Sequence, residues 1–347
     1  MLKKFFCGFT ALAMIFMLSA CEKQPSIISL TGKTMGTTYH IKYIDRGDVK
    51  LSAEQLQEQV EQQLHLVNQQ MSTYIPSSEI SQFNQSQNVN NPMPISTAFA
   101  TVVAEAIRLN QLTQGGLDIT VGPLVNLWGF GPEHRPDKQP TPEQIEQRRA
   151  WIGLDKLQLT QQAEQAYLTK TVPQLYIDLS SIAKGYGVDL VADTLEQNAV
   201  VNYMVEIGGE IRAKGKNIEG KSWQIAIEKP TDMGERSPQL VIGLENMAMA
   251  TSGDYRIYFE ENGQRFSHEI DPTTGYPIQH NLASITVLNP SAMTADGLST
   301  GLFVLGADKA LEIAEQQDLA IYLIIKQGDH FESKMSREFK RLTGINE

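Results

Sequence analysis

Asp296 and Thr300 are the pair whose types and spacing first suggest chemistry. They stand four apart in Thr294-Ala295-Asp296-Gly297-Leu298-Ser299-Thr300, which runs into the apolar Gly301-Leu302-Phe303-Val304-Leu305. On a helix that spacing puts a carboxylate and a hydroxyl on one face. Both are hard oxygen donors, the ligands that magnesium takes together with water and a substrate phosphate. Thr294 reads as the N-cap of that helix, its hydroxyl accepting a first-turn backbone N–H. A plainer reading has Asp296 favouring the positive end of the helix dipole and Thr300 bonding its own backbone. Spacing alone does not separate the two.

A second candidate is Asp178-Leu179-Ser180-Ser181-Ile182-Ala183-Lys184-Gly185-Tyr186-Gly187, read as a turn into an apolar helix that runs through Leu195. Backbone N–H groups at a helix start favour a phosphate, and Lys184 adds a positive charge. A capped helix with a solvated lysine fits the same residues. The segment Gly215 to Ser222 satisfies the pattern G-x-x-x-x-G-K-[ST], but a phosphate loop of that kind must open a helix. Here Trp223-Gln224-Ile225-Ala226-Ile227-Glu228 alternates as a strand, so the match is read as a hairpin turn.

The elements that must position these residues are legible in part. Ser52 and Gln55 form a capping box before an apolar stripe of Leu56, Val60, Leu64, Val67 and Met71. A second helix spans about Ser96 to Thr113 and stops at Gly115-Gly116. Tyr39, Ile41 and Tyr43 alternate with polar residues as a half-buried strand. Asp118 to Pro132 interleaves glycine and proline with Trp128 and Phe130, which excludes a regular helix or a long strand. Thr141-Pro142 starts a short helix. Strands are expected at Leu157 to Leu159, Val172 to Ile177, Val201 to Ile207 with Ile211 to Lys214 continuing it, Leu240 to Leu244, Met247 to Ala250 and Ala283 to Leu288. Tyr255 to Phe259 is expected to pair with Arg265 to Glu269, and Ala320 to Ile325 to be a final buried strand after a helix at Leu311 to Gln316. The polar run from Ser81 to Asn91 reads as a surface loop.

Of 347 residues, 41% are hydrophobic and 20% charged, which supports a sizeable core. Lys3, Lys4 and the uncharged Phe5 to Ala20 read as a signal segment, shorter than the ~20 residues a membrane-crossing helix needs. Leu18-Ser19-Ala20-Cys21 resembles the lipobox of bacterial lipoproteins. Residues 1–20 are therefore expected to be a cleaved signal, Cys21 a lipidated N-terminus, residues 21–30 a tether and residues 31–347 the folded domain. Cys7 and Cys21 are the two cysteines, so the folded part has no disulfide or thiolate chemistry. Without residues 1–20 the chain carries 27 basic and 40 acidic residues, net −13, with no clustered basic patch. Nucleic acid is excluded on that ground.

The segments Asp118 to Pro132, Asp178 to Gly187, Glu206 to Glu210, Thr251 to Tyr255, His268 to Pro277 and Thr294 to Thr300, in that order, resemble the ApbE family. The resemblance implies an α+β fold: short, mostly antiparallel strands packed with helices in one large catalytic unit with room for two lobes. It also implies the activity of an FAD:protein FMN transferase. FMN passes from FAD to a Thr or Ser hydroxyl of an acceptor protein through a phosphoester bond, and AMP leaves. Acceptors would be subunits of sodium-pumping NADH:quinone oxidoreductase or of Rnf-type complexes. That places the protein on the inner membrane by its lipid anchor, facing the periplasm. A lipid-anchored FAD-binding protein, or an FAD pyrophosphatase releasing FMN and AMP, would use the same pocket.

By the same resemblance Asp296, Thr300, Ser181 and Ser299 would hold Mg2+. Met35, Tyr74, Gly116, Leu117, Asp118, Asp178, Lys184 and Ile270 would contact FAD. Tyr74 could stack on a flavin or adenine ring, and Asp118 and Asp178 could accept hydrogen bonds from adenosine or ribose. His268, inside a family motif, is the candidate general base, because an imidazole titrates near working pH. A structural hydrogen bond at a strand end is the other role open to it.

Overall fold

The structure is a computed structural model that describes residues 24–132, 139–230, 237–253, 258–261, 264–328 and 330–345. Cys21, the signal segment, and Asp254 and Tyr255 lie outside the described residues.

The chain opens with β1 (Ser26–Thr34), β2 (Thr37–Asp45), α1 (Ala53–Met71), α2 (Glu79–Gln85) and β3 (Met93–Ile95). Next come α3 (Thr97–Leu112), α4 (Gly122–Leu127), α5 (Pro142–Arg149), β4 (Leu157–Gln162) and β5 (Gln165–Lys170). The middle holds α6 (Ala183–Gln197), β6 (Tyr203–Ile207), β7 (Glu210–Lys214), β8 (Trp223–Glu228), β9 (Pro238–Leu244) and β10 (Met247–Gly253). It continues through β11 (Tyr258–Glu261), β12 (Gln264–Ser267), β13 (Leu282–Asn289), α7 (Ala292–Leu305) and α8 (Ala307–Gln316). The last elements are β14 (Ala320–Gln327), β15 (His330–Met335) and α9 (Arg337–Thr343).

An eight-stranded sheet organises these elements in the order β1-β2-β6-β7-β10-β13-β14-β15, every neighbouring pair antiparallel. The three-stranded β3-β5-β4 sheet and the β8-β9 and β11-β12 pairs are separate. This is the α+β, mostly antiparallel architecture that the sequence predicts. On one face of the large sheet, α7 packs with α3, α6, β10 and β13. Leu298, Leu302 and Phe303 of α7 join Phe99, Val102 and Leu109 of α3 and Ile285 and Val287 of β13 in one apolar cluster. A second cluster joins the α1 stripe, Leu56, Val60 and Leu64, to α6 and to Tyr39, Ile41 and Val205. The opposite sheet face is covered by Trp223, Ile225, Ile242 and Leu244 of the β8-β9 pair and by Phe339 of α9.

Several expectations are corrected. Helix α7 begins three residues earlier than expected: Ser291 is the N-cap, accepting from Thr294 N, and Thr294 instead donates its hydroxyl to Glu105 Oε1 at 2.6 Å. Ser81 to Gln85 belongs to α2 rather than a loop, because Ser78 caps it and Ile80 and Phe83 are buried. Residues 172–177 form no strand. Ile177 bonds the Asn84 side chain instead, accepting from Nδ2 at 2.9 Å and donating to Oδ1 at 2.8 Å. Val201 to Ile207 does not continue through Ile211 to Lys214, because the chain reverses at Gly208-Gly209 and β7 runs back against β6. Gly215 to Ser222 links strands of two different sheets, so it is not the turn of a hairpin. Ser26 to Leu30, expected within the tether, are paired with β2. Strand β15 and helix α9 follow the strand expected to be last. Within Asp118 to Pro132, where no regular helix was expected, α4 forms a short helix because Pro123 stands in its first turn, where a proline is tolerated.

Candidate active site

Helix α7 carries Asp296 into the protein on a firmly fixed helix start. Asp189 of α6 accepts from Ser291 Oγ at 2.7 Å and from the Ala292 and Met293 N–H groups at 3.0 Å each. Two side chains therefore satisfy the first-turn donors of α7, and the negative one suits the positive end of the helix dipole. Asp296 sits just over a turn inside and is 2% exposed.

The start of α6 packs directly on this carboxylate. No side-chain hydrogen bond caps α6, and the Gly185 N–H donates to Asp296 Oδ2 at 2.9 Å. Gly185 allows the approach: a β-carbon there would lie 2.2 Å from the Ala292 carbonyl oxygen and 2.7 Å from Asp296 Cβ. The anion expected at this helix start is thus, in part, Asp296 itself. Lys184 Nζ lies 3.5 Å from Asp296 Oδ1 and 3.6 Å from Glu210 Oε1, and it donates to the Ser180 carbonyl at 3.2 Å. Burial opposes the charge on Lys184, but Asp296 and Glu210 together hold its pKa above the ordinary lysine value. Burial pushes the Glu210 carboxyl above the usual carboxylate range, against the pull of Lys184.

The hydroxyls expected as metal ligands differ in accessibility. Ser299 is 1% exposed; its hydroxyl donates to the Asp296 carbonyl at 2.9 Å and lies 2.9 Å from Ser252 Oγ. Thr300 is half-buried, with Oγ1 3.3 Å from Ser252 Oγ. Ser181, also half-buried, is three residues before Lys184. Among the described residues no group of three or more His, Cys, Asp or Glu is arranged to hold a metal. The candidate donors are the Asp296 carboxylate and the Ser181, Ser299 and Thr300 hydroxyls. That set fits magnesium, which completes its shell with water and substrate phosphates, and it fits poorly the nitrogen and sulfur preference of zinc.

Of the expected FAD contacts, Gly116, Leu117 and Met35 pack against α6 and α7. Gly116 and Leu117 press on α7 next to Thr300, since a β-carbon on Gly116 would lie 2.2 Å from the Gly301 carbonyl oxygen. The Asp178 N–H donates to the Ile119 carbonyl at 2.8 Å, which binds the Asp118 and Asp178 segments together. Asp118 Oδ1 accepts from the Thr120 N–H at 2.8 Å and hydroxyl at 2.6 Å, and Asp178 Oδ1 accepts likewise from Ser180 at 2.8 and 2.5 Å. Burial raises the pKa of Asp118, and the Thr120 bonds oppose the shift. Tyr74 is 66% exposed and close enough to Asp178 for its charge to act on the phenol, whose pKa is raised chiefly by burial. Met35, at φ 49° in the β1-β2 turn, reaches Gly187 of α6, its Cε 2.8 Å from where a β-carbon would stand.

His268 follows β12, and Phe130 meets its ring edge-on at 6.3 Å. Its Nε2 lies 3.3 Å from Glu269 Oε1, and Glu269 in turn adds to the negative charge acting on Lys184. The histidine is thus tied to the Lys184–Asp296 centre through its neighbour. Ile270 is 5% exposed and bridges Pro277, and the Trp128 Nε1–H donates to the Gly275 carbonyl at 2.9 Å. Trp128 also stacks on Phe266 at 5.7 Å. The aromatic run in Asp118 to Pro132 therefore braces the histidine segment. Glu210 and Ser252 were not expected at the centre. Both lie within the recognised motifs, and their oxygen-bearing side chains are the signal that could have marked them.

The chain belongs to the ApbE family, whose model matches residues 35–323. It is 64% identical over its whole length to the FAD:protein FMN transferase of Haemophilus influenzae, all of which is covered. It is 52% identical to the protein of that name from Vibrio cholerae, over 95% of this chain and 97% of that one. Among solved structures, flavin transferase ApbE from Vibrio cholerae superposes with a TM-score of 0.85 at 50% identity, covering 91% of this chain and 99% of that one. The apo form of Pseudomonas stutzeri flavinyl transferase ApbE gives 0.84 at 39% identity, covering 93% and 98%.

Proposed function

We propose that this chain is a magnesium-dependent FAD:protein FMN transferase. The observation that carries the reading is the buried Asp296 carboxylate, set between Lys184 and the α6 start on a helix that brings Thr300 one turn further along. Full-length similarity to relatives bearing that activity in their names supports it. Asp296 and Thr300 would hold the ion, with Ser181 beside them. The Ser299 hydroxyl, enclosed by Ser252 and a backbone carbonyl, orients that turn of α7. Magnesium, when bound, neutralises charge on the diphosphate oxygens.

Tyr74, Asp118 and Asp178 bind and orient the nucleotide; Met35, Gly116, Leu117, Lys184 and Ile270 complete the FAD contacts. The acceptor Thr or Ser hydroxyl attacks the FMN phosphorus, the bond to the AMP phosphate breaks, and His268 takes the hydroxyl proton. A base held in place typically contributes ~10²–10⁴-fold. The acceptors are subunits of sodium-pumping NADH:quinone oxidoreductase or Rnf-type complexes, and lipidated Cys21 holds the enzyme at the inner membrane facing the periplasm.

The test is incubation with FAD, magnesium and such a subunit, read by in-gel flavin fluorescence and intact mass. The reading predicts a fluorescent acceptor heavier by one FMN unit, with AMP released. Free FMN and AMP with an acceptor of unchanged mass would make the protein a pyrophosphatase instead.

A further inference from the structure

Glu210 is the first residue of β7 and is 4% exposed. Its Oε2 is buried and has no hydrogen-bond partner among the described residues. Leaving a buried carboxylate oxygen unpaired is costly, so the position invites a partner. Lys184 Nζ stands 3.6 Å from Glu210 Oε1 and 3.5 Å from Asp296 Oδ1. Both separations exceed a hydrogen-bonded N···O contact of ~2.7–3.2 Å. The ammonium therefore rests between two carboxylates and closes on neither, while donating to the Ser180 carbonyl at 3.2 Å.

We propose that Glu210 is a positioning residue that takes Lys184 over when a divalent cation occupies Asp296. This rests on the magnesium reading above. A dication on Asp296 repels an ammonium only a few ångströms away, and the flexible lysine stem can yield. A shift of about 0.4–0.8 Å brings Nζ within hydrogen-bond distance of Glu210. Glu269 also acts on Lys184, but it is engaged with His268 Nε2 at 3.3 Å.

The experiment titrates magnesium chloride by calorimetry into the FAD-saturated protein, comparing wild type, Glu210→Gln, Lys184→Met and the double variant. Glu210→Gln keeps the size and removes the charge, so magnesium affinity is expected to fall about tenfold. In the Lys184→Met background the same change is expected to alter affinity less than about twofold. Equal weakening in both backgrounds would reduce Glu210 to a general negative charge, and no weakening in the wild-type background would remove its role; either overturns the proposal. If Glu210→Gln does not fold, Glu210→Asp carries the test. It keeps the charge and shortens the reach, and a loss of magnesium affinity that disappears with Lys184→Met is expected. Wild-type affinity in Glu210→Asp would then refute the exchange. Wild type that binds FAD but no magnesium would instead sink the metal reading, and this inference with it.

Discussion

Replacing Gly185 with alanine puts a methyl group where α6 meets α7. The new carbon would stand 2.2 Å from the Ala292 carbonyl oxygen and 2.7 Å from Asp296 Cβ, both on a helix that cannot retreat without disturbing the core. Overpacking of this kind costs about 1–3 kcal/mol. Parting the helices also strains the Gly185 N–H bond to Asp296 Oδ2, and hydrogen bonds to charged groups contribute about 1.5–3 kcal/mol. Alanine regains about 1 kcal/mol of helix propensity. The net loss is therefore on the order of 2–5 kcal/mol, a fall in Tm of roughly 3–7 °C for a chain of this size. Gly187, two residues on, is the control. There an added carbon crowds the end of the flexible Met35 side chain at 2.8 Å and meets Ile207 and Leu64 at ordinary contact distances of 3.5 and 3.6 Å, so Gly187→Ala should stay within about 1 kcal/mol of wild type. Differential scanning calorimetry of both variants decides it. A Gly185→Ala protein as stable as Gly187→Ala would refute the close packing of α6 on Asp296.

His268→Ala should still bind FAD, by fluorescence titration, and should lose FMN transfer by ~10²-fold or more. Near-normal turnover would remove His268 from the mechanism. Lys170 is buried with its ammonium among the Asn84, Pro173 and Leu175 carbonyls, and burial pushes its pKa down to about 8. Between that value and the unfolded lysine value the unfolded chain holds more protons, so this group makes stability rise with pH. In urea unfolding, wild type should gain on Lys170→Met by on the order of 2 kcal/mol from pH 8 to 10, and a constant difference would contradict the shift.

The sequence made α1 plain because its capping box and apolar stripe agree. It placed α7 as a helix from its capping threonine and the apolar run Leu302-Phe303-Val304-Leu305. The start of α7 was less legible: Ser291 and Thr294 are both good caps, and Asp189, distant in sequence, favours the first. Helix α2 was hidden by its asparagine and glutamine content, with Ile80 and Phe83 as its only apolar anchors inside. Residues 172–177 have a strand's apolar character, but their backbone is satisfied by a side chain, which periodicity does not register. Of the candidate site, the motif segments were legible, but Glu210 and Ser252 inside them and the contacts between motifs were not. Glu210 reaches Lys184 only because β7 turns back beside β6, and Ser252 reaches Ser299 only because β10 packs under α7.

A crystal structure of the protein with FAD and magnesium tests the central claim most directly. The account predicts an ion bound to Asp296 and Thr300 that also touches the flavin dinucleotide's diphosphate, with His268 open to an incoming hydroxyl. A diphosphate lodged away from Ser181, Asp296 and Thr300 would contradict it.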